Sequence, residues 1–166
     1  QATNKIETFV VGDLSTWYLR RSRKRRDKDF YATIYQVLLN LVKLLAPFVP
    51  FLAEDLYQHL RQDNDPISVH LCDWPKAEKI DEEIIQKMRI VRELAEKGLS
   101  LRAEAGIRVR QPLGKFTINQ ELTEEYSDLL KDELNVLEIK VSREIKLETK
   151  ITPELKEKGT LRDIIR

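Results

Sequence analysis

The sequence predicts a mainly α fold, a helix bundle followed by a small mixed α/β unit. Three observations carry this expectation. Up to Gly106, apolar residues recur three and four positions apart in four long segments, the spacing of a buried helix face. Beyond Gly106 the period changes to alternation, which marks half-buried strands. Five glycines and six prolines among 166 residues leave little chain for disordered linkers.

From Ile6 to about Arg26, the residues Ile6, Val10, Leu14, Trp17 and Tyr18 line one side of a first helix. A second helix follows at once, with Phe30, Ile34, Leu38, Leu41 and Leu45 as its stripe. Pro47 ends it, because the residue before a proline is pushed out of the helical region. Pro50 suits the first turn of a third helix, whose buried side is expected to be Leu52, Leu56, Tyr57 and Leu60. "QDNDPISVHLCDWPKAEK" has the composition of a loop, with a short extended piece around Val69 to Leu71.

Asp81 is the expected N-cap of a long fourth helix, with Ile80 and Ile85 spaced as a hydrophobic staple. Ile84, Met88, Val91, Leu94 and Ala95 form its stripe, and Gly106 is its natural stop. Four amphipathic helices with short connections bury their stripes against one another. The bundle is therefore expected over residues 1–106. In the remainder, "KFTI", "VLEIKV" and "KLETKI" read as strands and Thr123 to Asn135 as a helix on Tyr126, Leu129, Leu130 and Leu134. Thr152, Pro153 and Glu154 open a last helix toward Arg166. These elements make residues 107–166 a small α/β junction unit.

With 29 Lys and Arg against 28 Asp and Glu, the net charge is +1. Attraction to a polyanion must then come from uneven placement of charge. Cys72 has no internal disulfide partner, which fits a reducing compartment. His59, His70 and Cys72 are the only His and Cys residues, too few for a four-ligand zinc site. No apolar run is long enough to span a bilayer and no secretory leader opens the chain, so no membrane partner is expected. Gln1 at the start and the helical pattern of "LRDIIR" at the end read as a piece of a longer protein. There is no glycine-rich phosphate loop, no nucleophile elbow and no Cys–His or Ser–His spacing. Acidic residues scatter along exposed helix faces. No catalytic residue, metal or cofactor is expected within the chain.

"YLRRSRKRRDKDF" (18–30) is the densest block of positive charge. Advancing about 100° per residue from Leu14, Arg21 and Arg25 continue the line of Leu14 and Tyr18. Arg20 and Lys24 flank one side, and Arg23 and Arg26 wrap around the rest. Cations in a last helical turn meet the helix dipole favourably at about 0.3–1 kcal/mol each, but one or two suffice for that. Repulsion among so many is offset only in part by Asp27 and Asp29. An anionic partner explains the run better, and a phosphate backbone is the obvious one. A nuclear-import tag has this composition but belongs in flexible chain, whereas this run continues a helix. Trp17 and Tyr18 lie on the apolar stripe and are expected to pack in the core. Trp17, nearer the stripe's edge, is the candidate to stack on an unpaired base. In "GIRVRQPL", Arg108 and Arg110 alternate with Val109 and so share one side of an extended segment.

Several stretches together resemble the class I aminoacyl-tRNA synthetases of the isoleucyl, valyl and leucyl group. "DLSTWYLRRSRKR" looks like the opening of their anticodon-binding domain, and "LLAPFVPFLAEDLYQHL" like its next helix pair. "SVHLCDWP", "IRVRQPL", "KDELNVLEI" and "TPELKEKGTLRDIIR" resemble the segments that follow, in the same order. The combination of "SVHL.DWP", "VRQPL" and "ELNV" is most similar to the isoleucyl branch, with the valyl branch its nearest rival. The family's HIGH and KMSKS signatures have no counterpart here. Arg26 and Asp27 stand where relatives often carry an aromatic, and no cysteine cluster matches the terminal zinc site of some bacterial members.

The resemblance implies an anticodon-binding helix bundle within a cytoplasmic parent enzyme that uses ATP and magnesium to attach its amino acid to tRNA. The chain's partners are then the anticodon arm of a tRNA and the parent's own catalytic and editing domains. Arg20, Arg21, Arg23, Lys24, Arg25 and Arg26 would grip the RNA backbone, with Arg108 and Arg110 in support and Trp17 against a base. The rival reading, from the residues alone, is a helical protein-interaction module whose basic end meets an acidic protein surface.

Overall fold

The computed structural model describes residues 1–25, 27–77 and 79–157. The chain divides into two compact units, residues 1–78 and 79–166.

The first unit opens with one helical run in three parts: α1 (Ala2–Thr8), a π-helical stretch (Phe9–Leu19) and α2 (Arg20–Ser22). The backbone stays helical through both joints, at Thr8 (φ −57°) and Arg20 (φ −59°). A π turn bonds each N–H five residues back, one more than an α turn, and is rare beyond a single turn. Thr16 reinforces that spacing, since its hydroxyl donates to the carbonyl of Val11. Leu14 is buried, and Ile6, Val10, Trp17 and Tyr18 are half-buried, so the expected stripe is present.

The run stops at Ser22, short of the expected Arg26. Arg25 N–H closes a turn on Ser22 O at 2.9 Å, and Asp27 is extended (φ −81°, ψ 161°). Asp27 must leave the helix because it caps the next one. Its carboxylate accepts from Phe30 N–H at 2.9 Å, opening α3 (Lys28–Leu45).

Helix α3 buries Leu41 and Val42 and ends before Pro47. Helix α4 (Pro50–Leu60) starts on its proline as expected, but its buried residues are Ala53 and Tyr57. Leu52 and Leu56, expected inside, are 54% and 40% exposed. The small Ala53 side chain sits in the core cluster with Val42, Ala46, Tyr57 and Val69, and Tyr57 brings a hydroxyl that needs a buried acceptor. That hydroxyl donates to Pro66 O at 2.9 Å and receives the Cys72 thiol at 3.2 Å. The helix is turned to serve those contacts.

The segment Val69–Leu71 is a 3₁₀ turn, not the expected extended piece. Glu54 of α4 determines this from a distance, accepting from Ser68 Oγ at 2.8 Å and Val69 N–H at 2.9 Å. The hydrogen bonds from Gln58 and Ser68 hold the Glu54 carboxyl below its ordinary pKa.

The second unit begins with α5 (Glu82–Glu104), capped by Asp81 accepting from Ile84 N–H at 3.1 Å. Ile80 and Ile85, spaced as a staple, are both mostly exposed. The helix ends as expected at Gly106 (φ 66°). Gly106 N–H bonds Ala103 O at 3.0 Å and Ile107 N–H bonds Arg102 O at 2.9 Å, the paired bonds of a Schellman cap.

Strands β1 (Leu113–Ile118), β2 (Val136–Val141) and β3 (Lys146–Leu147) form a sheet in the order β2-β1-β3. Helix α6 (Glu124–Leu134) connects β1 to the parallel β2, while β3 is antiparallel to β1. "KLETKI" thus pairs over two residues only. The central β1 buries Leu113, Phe116 and Ile118.

The buried face of α5, Val91, Leu94, Ala95 and Gly98, includes its contact with α6, where Gly98 lies against Leu134. Residues 153–157 are helical and Leu155 is buried. The rest of the expected last helix lies outside the described residues. No helix among the described residues is long and apolar enough to cross a membrane.

Candidate nucleic-acid interface

The basic run spans the end of one helix and the cap of the next. Arg20 and Arg21 are on α2, while Arg23, Lys24 and Arg25 lie beyond it, where the chain turns toward Asp27. Arg26 lies outside the described residues. The run is therefore not the evenly charged helix end that spacing predicts, because the turn gives each side chain its own setting.

Arg20 Nε donates to Thr16 O at 2.8 Å. Arg21 lies over the Trp17 ring, 5.5 Å from its centroid, within reach of a cation–π attraction. Trp17 is accordingly engaged by an arginine. Arg25 makes a bidentate pair with Asp27, Nε to Oδ2 and Nη2 to Oδ1, each 2.9 Å. The Arg25 hydrogen bond, followed by that of Phe30 N–H, holds the Asp27 carboxyl down at about 2, and the same pairing raises Arg25. Arg20, Arg23 and Lys24 are exposed.

Behind these cations lies a cleft of about 480 Å³. Ser15, Leu19, Arg20 and Ser22 line it from the first helical run, and Arg23 and Arg25 line it from the turn that follows. Phe30 and Tyr31 of α3 complete the lining. Tyr18 stacks on Phe30 (6.0 Å between centroids, 18° between planes), and Phe30 meets Tyr31 edge to face at 5.4 Å. Tyr31 is 49% exposed.

Tyr31 was not a candidate from sequence. Its signal is present, since Tyr31 falls beside the α3 stripe rather than on it and directly follows the basic run.

Arg108 and Arg110 belong to the second unit and lie at a turn, closed by Gln111 N–H on Arg108 O at 3.0 Å. The expected extended alternation is absent there, because two distant side chains capture the carbonyls. Arg102, 1% exposed, donates from Nη1 to Arg108 O at 3.1 Å and Gln111 O at 3.0 Å. Asn135, left-handed at φ 49°, donates from Nδ2 to Val109 O and Arg110 O, each at 2.9 Å. Burial lowers the Arg102 pKa to about 10, so the guanidinium stays charged at neutral pH. Neither Arg102 nor Asn135 was a candidate from sequence, since each acts on a segment remote from itself or on backbone alone.

Among the described residues, no group of three or more His, Cys, Asp or Glu could hold a metal ion. The arrangement offers cations, an aromatic face and neutral hydrogen-bonding groups. That chemistry binds anions and planar rings.

Residues 1–117 match the family model described as the anticodon-binding domain of tRNA ligase. The chain is similar to the isoleucine–tRNA ligase of Chlamydia trachomatis serovar D, 40% identical over 153 residues, covering 83% of the chain and 15% of that protein. It is also similar to the enzyme of that name in Pyrococcus abyssi, 38% identical over 176 aligned residues (96% of the chain, 16% of the relative). A third relative so named, from Thermococcus kodakarensis, is 38% identical over 179 aligned residues (94% and 17%). The chain thus spans only about a sixth of the length of these relatives.

Proposed function

The chain belongs to the family of anticodon-binding domains of tRNA ligases, and on that premise we propose that it is the tRNA-gripping portion of an isoleucine–tRNA ligase. Its partner is the anticodon arm of isoleucine tRNA. The observation that carries the reading is the exposed cations Arg20, Arg23 and Lys24, set beside an aromatic-lined cleft and inside the matched region. Backbone cations fix the register of the RNA, while splayed loop bases seek rings and hydrogen-bonding groups.

The parent enzyme joins isoleucine to tRNA with ATP and magnesium, in the cytoplasm. The described residues do not fit a magnesium site, having no cluster of acidic or other metal-binding side chains. ATP and magnesium are assigned to the parent's catalytic domain, and a non-catalytic role for this chain fits the family whose model it matches. The anticodon-binding part is proposed to run over residues 1–106, with 107–166 as a junction unit; the family match over residues 1–117 takes in the whole of the first part. The names of the relatives favour the isoleucyl over the valyl enzyme.

The test is a competition titration of the chain with isoleucine tRNA, valine tRNA and heparin across a range of salt. Isoleucine tRNA is expected to bind tightest, and replacing Arg20 and Arg23 by Glu should lower the salt slope by about one per lost phosphate contact. Equal binding of all three polyanions would favour an acidic-surface interaction module instead.

A further inference from the structure

We propose that strand β2, the long edge of the second unit's sheet, pairs antiparallel with β2 of a second copy of this chain, about a two-fold axis at Ile139. Among the described residues β2 has one neighbour, β1. An unpaired edge is a template for another strand, and Leu137, Glu138, Lys140 and Val141 along it are exposed. The pairing does not depend on the tRNA-binding reading.

The main chain determines which groups are on offer. Glu148 N–H donates to Lys115 O at 2.9 Å, and Ser142 N–H donates to Ile118 O at 2.8 Å. Main-chain groups of successive strand residues point to opposite sides, so Lys115 and Thr117 face β3 while Phe116 and Ile118 face β2. On β2, Glu138 and Lys140 accordingly face β1, and Leu137, Ile139 and Val141 turn their N–H and C=O outward. Those three positions are symmetric about Ile139. Against an antiparallel copy, Ile139 meets Ile139 and Leu137 meets Val141, each pair exchanging both of its hydrogen bonds.

The side chains fit the same axis. Glu138 falls opposite Lys140 of the copy, at the non-hydrogen-bonded positions where side chains come closest. Leu137 and Val141, 58% and 55% exposed, meet on the other face, where Ile139 is in register with the buried Phe116. Within one chain Lys140 Nζ lies 3.6 Å from Glu138 Oε1, both half exposed, a weak contact that leaves the two charges open to the copy. Charges on a sheet edge ordinarily keep other strands away. Here opposite signs stand symmetrically about the axis, so the edge attracts its own copy. A parallel pairing in register would set Glu138 beside Glu138, and a slip by one residue would put outward main-chain groups against inward ones.

A strand pair lies at the small end of stable interfaces, so the dimer depends on concentration. Sedimentation equilibrium of the chain should show the mass rising from one chain toward two as concentration increases. Glu138→Lys and Lys140→Glu each set like charges opposite one another in a self-pair and should weaken self-association about 10-fold. The double variant Glu138→Lys/Lys140→Glu brings opposite charges together again and should recover it. An equimolar mixture of the two single variants should associate as well, because only mixed pairs are then complementary. Both positions are exposed, so far-UV circular dichroism should be alike in every variant.

A chain that stays single at every concentration would overturn the proposal and leave the edge to a strand of another protein. Self-association unchanged in both single variants would overturn it too, by placing the contact elsewhere on the surface.

Discussion

The guanidinium of Arg102 donates from Nη2 to the main-chain oxygen of Asn135 at 3.0 Å, joining residues 33 positions apart. With its bonds to Arg108 O and Gln111 O, this one side chain holds the ends of α5 and α6 and the turn before β1. Replacing Arg102 with Met would leave those three carbonyls without their charged donor, at a cost of about 3 kcal/mol. Lysine should rescue little, because it lacks the planar fork. Urea unfolding should show the loss as a lower midpoint at constant slope.

Gly98 is a second point of close approach. A Cβ there would stand 2.5 and 2.6 Å from the two Leu134 methyls, too near for the fully buried leucine to accommodate. Gly98→Ala gains about 1 kcal/mol of helix propensity but incurs overpacking of about 1–3 kcal/mol, so net destabilisation is expected. With Leu134 already replaced by Ala, the same change should become stabilising. A double-mutant cycle would reveal the sign reversal.

Asp27 predicts a pH dependence. Its folded carboxyl titrates at about 2, against an ordinary value of about 3.9, so the folded chain binds that proton less tightly than the unfolded chain. The contribution is full above about pH 4 and is lost as pH falls toward about 2. Asp27→Asn retains a capping side chain but loses the ion pair. Unfolding curves of the two proteins should differ at neutral pH and converge only below about pH 2. A difference that persists there would mean that Arg25–Asp27 is not its source.

Tyr57→Phe removes a single oxygen from the core of the first unit. Pro66 O would lose its donor and the Cys72 thiol one of its two acceptors, the other being Ser68 O, at a cost of about 1–2 kcal/mol. The change should also loosen the 66–72 loop, read as faster amide exchange at Leu71 and Cys72, whose N–H groups close its 3₁₀ turn.

Most of the fold was legible because its signals are local. Asp81, Pro50 and Gly106 mark helix ends through their own chemistry, and β1 and β2 form where the apolar pattern of the sequence predicts strands. The features that escaped depend on partners far along the chain. Glu54 shapes Val69–Leu71 from 15 positions away, and Asn135 reaches Val109 across 26. Spacing alone also chose Leu52 and Leu56 over Ala53, since periodicity weighs apolar size and overlooks where a small residue lets backbones approach.

In the candidate interface, residue types were legible but settings were not. No pattern distinguishes Arg25, bound to Asp27, from Arg23 at the cleft, because the difference lies in a turn made by Asp27 as a cap.

The π-helical stretch Phe9–Leu19 gives the interface a rotational phase. A wider spiral delays the rotation of everything that follows it, so the azimuth at which Arg20 and Arg21 leave the axis is set by the eleven residues before them as much as by their own positions. Deleting one residue there, such as Gly12, would turn those arginines by roughly a quarter of a turn around the helix. Composition, charge and length would hardly change, yet the cleft's cations would point elsewhere. Chain length within this stretch is thus under a stricter constraint than the identity of its exposed residues.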